Sequence, residues 1–219
     1  NDGADTITLS GQGNALVFGN GGDDTIRFTS TGVGTVYGGV GNDTISIEND
    51  QANHVFGGPG ADSMSVTGNG NNVIFGAQGI NDPVDMGDRI VITGHGNNVV
   101  YANGGDDHVT ISGVGHNTVY GGVGNDTLVG GSGGDYLAGG PGDNVYTGGG
   151  GADRFNHSAG ARDIITDFSF QAGDRLELGG QAYSLTSASD GSAAFVFQDG
   201  GVILLHGVTL GDVSPGYVA

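Results

Sequence analysis

A block of nine residues repeats four times without interruption over residues 121–156. The four copies read GGVGNDTLV, GGSGGDYLA, GGPGDNVYT and GGGGADRFN. Each copy has glycine at positions 1, 2 and 4, an acidic or amide residue at position 6, and an apolar residue at position 8. Glycine adopts positive φ angles that side chains disfavour, and positions 7 to 9 alternate as a short strand does. The pattern therefore predicts tight turns that alternate with short strands.

The same unit recurs upstream with a longer period. Aspartates that follow a turn and begin an alternating strand stand 19 residues apart in two runs: Asp5, Asp24, Asp43 and Asp62, then Asp88, Asp107 and Asp126. The gap from Asp62 to Asp88 is 26 residues, which is one period plus an insertion. Apolar residues alternate after each aspartate, as Ile26 and Phe28 do, and this indicates half-buried strands. Strands repeated at a fixed period predict a solenoid of stacked turns.

A second row of strands lies between the first, in the segments NHVF, NNVIF, NNVVY and HNTVY. At the position equivalent to aspartate this row has Ala15, Gly34, Asn53, Asn72, Asn98 and Asn117. Carboxylates stacked roughly 5 Å apart repel one another unless cations lie between them, whereas amides donate and accept hydrogen bonds among themselves. Because calcium prefers six to eight oxygen ligands, we expect it along the aspartate edge only.

The nonapeptides change this expectation from Asp126 onward, where both edges should bind calcium. In this part of the chain Asp126 faces Asn144 and Asp135 faces Asp153. Asn144 weakens the first pair, although the neighbouring Asp143 offers a further carboxylate.

The composition favours cations as partners and argues against nucleic acid and anionic membranes. The net charge is −19, with no lysine, five arginines and 24 acidic residues, a balance that repels polyanions. Because cysteine is absent, disulfides cannot hold this glycine-rich chain together. No apolar run approaches the ~20 residues of a membrane span, and no signal peptide is visible. The chain begins within a repeat, which suggests a fragment of a longer protein.

Tandem nonapeptides of this form characterise calcium-binding β-helix repeats, and the chain resembles the RTX (repeats-in-toxin) proteins with their hemolysin-type β-roll. The segments DIITDFSFQAGDRLEL and DGGVILLHGVTLGDV resemble the cap that follows the roll in serralysin-type proteases. The resemblance implies an all-β fold, a right-handed parallel β-roll or β-solenoid with a C-terminal β cap. It also implies a roll over residues 1–156, with 19-residue turns over 1–120 and nonapeptides over 121–156. Residues 157–219 would then form the cap and carry the type I export signal.

The resemblance also implies the ligands of several calcium ions. In the family, each ion is held by aspartates of two stacked turns and by carbonyls of the glycine-rich turn. The matching aspartates are Asp24, Asp43, Asp62, Asp107, Asp126, Asp135 and Asp153. Asp5 and Asp88 match less closely, and Asp167 and Asp174 match cap acids that can hold a further ion. The matching turn glycines are Gly38, Gly39, Gly41, Gly57, Gly58, Gly60, Gly121, Gly122 and Gly124.

The insertion, the six histidines and the lack of a catalytic triad also bear on function. The insertion within residues 76–89 is interpreted as a solvated loop, the alternative being a recognition loop or an extra cation site. The six histidines occupy different repeat positions and are interpreted as surface residues: His54, His95, His108, His116, His157 and His206. No arrangement typical of a catalytic triad is present, so the chain is not expected to be an enzyme.

One aromatic residue recurs at the same place in the second row: Phe18, Tyr37, Phe56, Phe75, Tyr101 and Tyr120. If the residue before each of them points inward, the aromatic rings point outward and stack. The stack is interpreted first as packing between turns, which the cap could cover, and second as a partner surface for an upstream domain or a second copy of the chain.

These patterns together favour a secreted calcium-binding module, which folds outside the cell after passing the type I secretion machinery. It would act at the cell surface or in the extracellular medium. Two alternatives remain open. The chain could be a structural or adhesive surface protein, like those of S-layers, or the non-catalytic C-terminal part of a secreted protease or carbohydrate-active enzyme.

Overall fold

A computed structural model describes residues 2–77, 85–214, 216 and 218. The described strands are β1 (Thr6–Leu9), β2 (Ala15–Gly21), β3 (Thr25–Phe28), β4 (Gly34–Val40), β5 (Thr44–Glu48), β6 (His54–Phe56), β7 (Ser63–Thr67), β8 (Val73–Phe75), β9 (Arg89–Thr93), β10 (Val99–Gly104), β11 (His108–Ser112), β12 (Thr118–Val123), β13 (Thr127–Gly131), β14 (Tyr136–Ala138), β15 (Val145–Gly149), β16 (Arg154–Asn156), β17 (Arg162–Ile165), β18 (Arg175–Glu177), β19 (Tyr183–Ser187), β20 (Ala193–Phe197) and β21 (Val202–Leu205). A short 3-10 helix, Leu210–Asp212, follows them.

The strands form two sheets that run the length of the molecule. Odd-numbered strands from β1 to β17 stack in sequence order and are completed by β21, β20 and β19, which gives a sheet of 12 strands. Even-numbered strands from β2 to β18 form the second sheet, of nine strands. Each strand of the stacked region pairs in parallel with the strand two before it. The chain is thus a parallel β-solenoid with a β cap, and the predicted fold class is confirmed.

The register of the sheets shows that one 19-residue period of the sequence is one turn of the solenoid. Thr25 pairs with Thr44 in one sheet and Thr35 pairs with His54 in the other, so one turn takes 19 residues. Across the insertion, Ser63 pairs with Arg89, and the same side chains stay on the same face. The insertion therefore lengthens one turn without shifting the register, since a shift of one residue would turn the apolar face outward.

The core lies between the two sheets and is filled by the inward residues of each strand. Ile26, Phe28, Ile45 and Ile47 are fully buried, and their equivalents along both sheets are buried in the same way. Burying one such side chain stabilises a fold by about 1.5–3 kcal/mol. A three-residue strand such as β6 contributes one fully buried side chain to the core, so the core of each turn is thin.

The predicted aromatic ladder is present on the outer face of the nine-stranded sheet. The residues that precede the aromatic residues are buried, and the six rings stack with centroids 4.5 to 5.0 Å apart and planes within 11° of each other. Phe18 and Tyr120 remain 50% and 37% exposed. The last three strands, β19, β20 and β21, extend the other sheet and not the one that carries the ladder. Because the ring faces contact one another, the ladder presents mainly ring edges to solvent.

The C-terminal segment adds a last turn of solenoid and then closes one sheet. Strands β17 and β18 still pair in parallel with β15 and β16. The three following strands are antiparallel to one another, with Ser187 opposite Ala193 and Phe195 opposite Ile203. Their connections are turns around residues 189–191 and 198–200. The outermost strand, β19, is exposed at every residue.

Two predictions fall on parts of the chain that the structure does not describe. Residues 78–84 of the insertion lie outside the described residues, so both interpretations of this loop stay predictions. Asp85, just after them, accepts a hydrogen bond from the Gly104 N–H at 3.0 Å. Residues 215, 217 and 219 of the proposed export signal are likewise outside the description. Among the described residues, no helix is long and apolar enough to span a membrane.

Candidate calcium sites on the two edges of the solenoid

The glycine-rich turns allow the chain to reverse direction within a few residues. Gly39 and Gly41 have φ angles of 120° and 135°, which side chains rarely adopt. Asn20 and Asn103 occupy the position of Gly39 in their own turns, with φ angles of 84° and 81°. Asparagine is the residue that tolerates this conformation best after glycine. The sequence therefore builds the same turn from two residue types.

The first edge of the solenoid, which precedes the odd-numbered strands, carries a line of stacked polar side chains. Its members are Asp5, Asp24, Asp43, Asp62, Asp88, Asp107, Asp126, Asn144 and Asp163. In each aspartate from Asp24 to Asp126, Oδ1 accepts a hydrogen bond from the backbone N–H of the ladder residue one turn earlier, at 2.7 to 2.9 Å. Asp88 joins this line despite the insertion before it. One oxygen of each carboxylate thus fixes the stacking of the turns.

The other oxygen of these carboxylates has no hydrogen-bond partner. Among the described residues, Oδ2 is buried and unbonded in eight ladder aspartates: Asp24, Asp43, Asp62, Asp88, Asp107, Asp126, Asp135 and Asp153. Each of these residues is at most 2% exposed. A buried polar atom without a partner costs about 1–3 kcal/mol, and a charged atom costs more. A line of such atoms is therefore an unfavourable arrangement that a bound cation would relieve.

Burial also raises the pKa of several buried ladder carboxyls in the absence of a cation. Loss of hydration is the largest cause at Asp62, Asp88 and Asp107, and the charges of neighbouring carboxylates add to it. The pKa rises to about 9 for Asp88, about 8 for Asp107 and about 7 for Asp62. Asp135 rises to about 7, and the pKa of Asp43 is raised as well. Near neutral pH the calcium-free fold consequently holds protons on Asp88 and Asp107, whereas the pKa of Asp126 and of Asp153 rises only to about 6.

The second edge, which precedes the even-numbered strands, is built differently in its upstream part. Asn53, Asn72, Asn98 and Asn117 stack there, and each Oδ1 accepts the backbone N–H of the residue one turn earlier. The Nδ2 group of Asn72 donates to Gly70 O at 2.8 Å and to Asn98 Oδ1 at 3.1 Å, and Asn98 repeats this pattern toward Asn117. On this edge the Asn Nδ2 groups therefore donate hydrogen bonds to the turn carbonyls and to the side-chain oxygens of the next turn.

The downstream part of the second edge consists of carboxylates. Asn117 donates to Asp135, and the backbone N–H groups of Asp135 and Asp153 donate to Asp153 Oδ1 and Asp174 Oδ1, at 2.8 and 2.9 Å. The sequence-predicted partners meet: Asp135 stacks on Asp153, and Asp126 stacks on Asn144. Asp143 is exposed on the outside of its turn.

The residues present fit calcium. Within the described part of the chain, no group of three or more His, Cys, Asp or Glu side chains could hold a metal, so backbone oxygens must contribute. The Asn144 amide shows which carbonyls face the side chain at this position of the turn. Its Nδ2 donates to Gly140 O and Gly142 O, four and two residues before it. The same offsets point to Gly39 and Gly41 for Asp43. They point likewise to Gly58 and Gly60 for Asp62 and to Gly122 and Gly124 for Asp126.

The first glycine of each turn leaves room beside Oδ2 of the ladder aspartate that follows it. A Cβ on Gly38 would collide with Asp43 Oδ2 and lie 2.6 Å from Gly57 O. Gly57 and Gly121 stand in the same relation to Asp62 and Asp126. A side chain at any of these positions would fill the space that faces the unbonded oxygen.

The two cap acids of the expected ligand set are occupied by backbone donors. Asp167 accepts the N–H groups of Gly148 and Gly149 at 2.9 and 2.7 Å. Asp174 accepts the N–H of Asp153 at Oδ1 and that of Ser169 at Oδ2. Both side chains tie the last turns of the roll to the cap.

One histidine corrects the sequence interpretation. His157 was expected at the surface but is buried, because its ring stacks on Phe197 at 4.4 Å and its Nδ1 lies 2.7 Å from Asp163 Oδ2. Asp163 was missed as a ladder residue, although it follows Asn144 by the same 19 residues and accepts its N–H. At this position an imidazole, rather than a cation, contacts the second carboxylate oxygen.

The fold and these turns define a parallel β-solenoid whose stacked acidic turns can hold cations. The profile of the RTX calcium-binding nonapeptide repeat matches residues 9–27, 28–46, 49–82, 90–110, 111–146, 120–155 and 129–164. These matches cover more than half of the chain, which therefore belongs to the family of RTX calcium-binding nonapeptide repeats. The predicted family is confirmed.

Comparison with individual proteins adds little to this assignment. No curated protein sequence matches the chain. Among solved structures, the chain is similar to the extracellular lipase LipA from Serratia marcescens, with 16% identity and a TM-score of 0.24. The match covers 100% of this chain and 38% of the lipase. The chain thus spans well under half the length of that protein.

Proposed function

We propose that this chain is a calcium-dependent folding module of a secreted protein. One observation carries the proposal, namely the line of buried Oδ2 atoms without partners along the first edge. The site residues we propose are the expected set. Asp24, Asp43, Asp62, Asp88, Asp107 and Asp126 would bind on the first edge, and Asp135 and Asp153 on the second. Asp5, Asp167 and Asp174 are terminal members of the set. The turn glycines supply carbonyl oxygens or, at Gly38, Gly57 and Gly121, the room beside Oδ2.

Calcium would act on this chain by neutralising and cross-linking stacked turns. An ion between two turns cancels two carboxylate charges in a chain whose net charge is −19. Ligands of each ion come from neighbouring turns, which are far apart in an unfolded chain. The free energy of calcium binding therefore adds directly to the free energy of folding. Without calcium, self-repulsion and the thin core favour an expanded chain.

This dependence suits export in an unfolded state. Calcium is scarce in the cytosol and abundant outside the cell, so the module would remain expanded until it has passed a type I secretion machine. We propose a calcium-binding roll over residues 1–156 and a cap over 157–219. The cap includes the last solenoid turn of β17 and β18 and is proposed to carry the export signal. The module is proposed to be non-catalytic and to act outside the cell, or at its surface, as part of a longer protein.

The test is far-UV circular dichroism of the purified chain in chelator, in magnesium and in calcium. We expect a disordered spectrum in chelator and a β-sheet spectrum in calcium. Magnesium should have little effect, because it requires a smaller octahedral site and retains its water. A chain that is equally folded in chelator and in calcium would overturn the proposal.

A second candidate function, self-association at a surface, is favoured by the aromatic ladder. Near its N-terminal end the ladder adjoins other exposed apolar side chains, since Leu16 is 61% and Val40 62% exposed beside Phe18. Sedimentation velocity in calcium would test this. Concentration-dependent oligomers that disappear when Phe18 and Leu16 are replaced with serine would support assembly, and a monomer at all concentrations would contradict it.

A further inference from the structure

The space beside the first glycine differs between the four nonapeptides. In three of them a Cβ on the first glycine would collide with, or closely approach, an aspartate Oδ2: Gly121 with Asp126, Gly130 with Asp135, and Gly148 with Asp153. In the remaining nonapeptide, a Cβ on Gly139 would instead meet the Asn144 side-chain amide, and it would lie 2.6 Å from the Tyr146 hydroxyl. A Cβ on Gly148 would also lie 2.9 Å from Phe155 Cζ, so the turn of Gly139 differs in its polar neighbours, an amide and a hydroxyl in place of an unbonded carboxylate oxygen.

Tyr146 reaches this space from the core. Its side chain is 1% exposed, and its hydroxyl accepts the N–H of Gly139 at 2.9 Å and donates to Asn156 O at 3.3 Å. The neighbouring nonapeptides have Leu128, Leu137 and Phe155 at the same inward position, and none of these carries a polar atom. Burial raises the pKa of the Tyr146 phenol well above its ordinary value, so the group stays neutral.

Asn144 satisfies the surrounding oxygens without an ion. Its Nδ2 group lies 3.1 Å from Gly140 O, 3.2 Å from Gly142 O and 3.0 Å from Asp163 Oδ1. Amide hydrogens thus bind the same kinds of oxygen, two turn carbonyls and a carboxylate of the next turn, that a calcium ion would bind. Unlike the neighbouring aspartates, Asn144 leaves no buried side-chain atom without a partner among those described.

The opposite edge changes in the reverse sense within the same stretch. There the amide ladder ends at Asn117, whose Nδ2 donates to Asp135 Oδ1 at 3.0 Å and to Gly130 O at 3.1 Å. Asp135 and Asp153, which follow, have buried Oδ2 atoms without partners. One edge passes from carboxylate to amide where the other passes from amide to carboxylate.

We propose that Asn144 and Tyr146 form a plug that closes the first edge to calcium, so that the line of calcium ions crosses to the second edge between Asp126 and Asp135. The inference rests on the proposed function and refines the expectation that both edges bind throughout the nonapeptides. It assigns the two residues a role in selecting where calcium binds. Under this proposal, both edges bind calcium only at the neighbouring turns of Asp126 and Asp135.

Calcium stoichiometry measured by equilibrium dialysis tests the plug. The double variant Asn144→Asp with Tyr146→Phe removes the hydroxyl and supplies a carboxylate, which reproduces the pair Asp153 and Phe155 of the next nonapeptide. It should therefore bind one more ion per chain than the wild type. The matched control combines Asn125→Asp with Tyr146→Phe. It adds the same charge at an exposed position of an adjacent turn, and it should bind the wild-type number.

An unchanged stoichiometry in the double variant, with the wild type binding several ions, would overturn the plug and leave the proposed function intact. A wild-type chain that binds no calcium would overturn both. If the double variant does not fold, the positions of bound ions in the wild-type protein test the plug instead. Anomalous diffraction from terbium-loaded crystals should show peaks beside Asp107 and Asp153 and none beside Asn144. A peak beside Asn144 would overturn the inference.

Discussion

Replacing Asp107 with asparagine is expected to make the calcium-free chain fold more readily and the calcium-loaded chain bind fewer ions. Asp107 is 2% exposed and its Oδ2 has no partner. Asn98, on the opposite edge, shows what an amide does in such a position, because its Nδ2 donates to Gly96 O and to Asn117 Oδ1. In Asp107→Asn an equivalent amide would replace an unbonded carboxylate oxygen with a hydrogen-bond donor.

The raised pKa gives the size of the effect. Without calcium, burial raises the pKa of Asp107 from 3.8 to about 8, and one pKa unit corresponds to about 1.4 kcal/mol. At pH 7.5 the unfolded chain ionises freely and the folded chain does not, which disfavours the calcium-free fold by on the order of 5 kcal/mol. The asparagine variant avoids this term. With calcium present the sign reverses, because the variant lacks a ligand.

Folding in chelator can be titrated with trimethylamine N-oxide, which favours compact states. The circular dichroism midpoint should fall at a lower osmolyte concentration for Asp107→Asn than for the wild type. In excess calcium, equilibrium dialysis should show fewer bound ions. The matched control is Asp106→Asn, which removes the same charge from an exposed neighbour and should change neither result by a comparable amount. Equal midpoints for the Asp107 and Asp106 variants would refute the reasoning.

Three further predictions concern pH and the two kinds of edge. The folded pKa values of Asp88 and Asp107 lie above their unfolded values, so in chelator the free energy of unfolding should be highest near pH 4 and fall as pH rises to about 9. The concentration of trimethylamine N-oxide needed for folding should therefore rise with pH, and a midpoint that does not change would contradict this. Asn72→Ala removes bonds to Gly70 O and Asn98 Oδ1 and should cost about 1–3 kcal/mol. Its calcium stoichiometry should be unchanged, and a change measured by dialysis would show that the amide edge binds ions. Gly57→Ala would collide with Asp62 Oδ2 and Gly76 O and should weaken calcium binding in a calorimetric titration, whereas Gly211→Ala, which has room for a methyl group, should not.

Much of the fold follows from the period of the sequence. Aspartates 19 residues apart and alternating residues such as Ile45 and Ile47 predict the strands, their parallel stacking and the two kinds of edge. The aromatic ladder follows as well, because a residue that recurs once per turn must stack on its equivalent. The insertion before Asp88 leaves this intact, since the register of Ser63 and Arg89 is preserved across it.

The finer features of the site depend on contacts that the period does not encode. Tyr146 stands at an ordinary apolar position, and only its length brings the hydroxyl across the core to Gly139. His157 becomes buried because the cap places Phe197 over it, and the cap has no repeat from which this could be predicted. Asp163 could have been found because it lies 19 residues after Asn144, but the six residues that separate it from the last nonapeptide do not follow the repeat.

Amide hydrogen exchange followed by mass spectrometry tests most directly whether calcium holds the stacked turns together. The N–H groups of Asp43 and Asp62 donate to the carboxylates of the next turn, and their exchange reports whether the turns are stacked. We predict slow exchange along the first edge in calcium and exchange as fast as in an unfolded chain when calcium is chelated at neutral pH. Equal protection in calcium and in chelator would contradict the account.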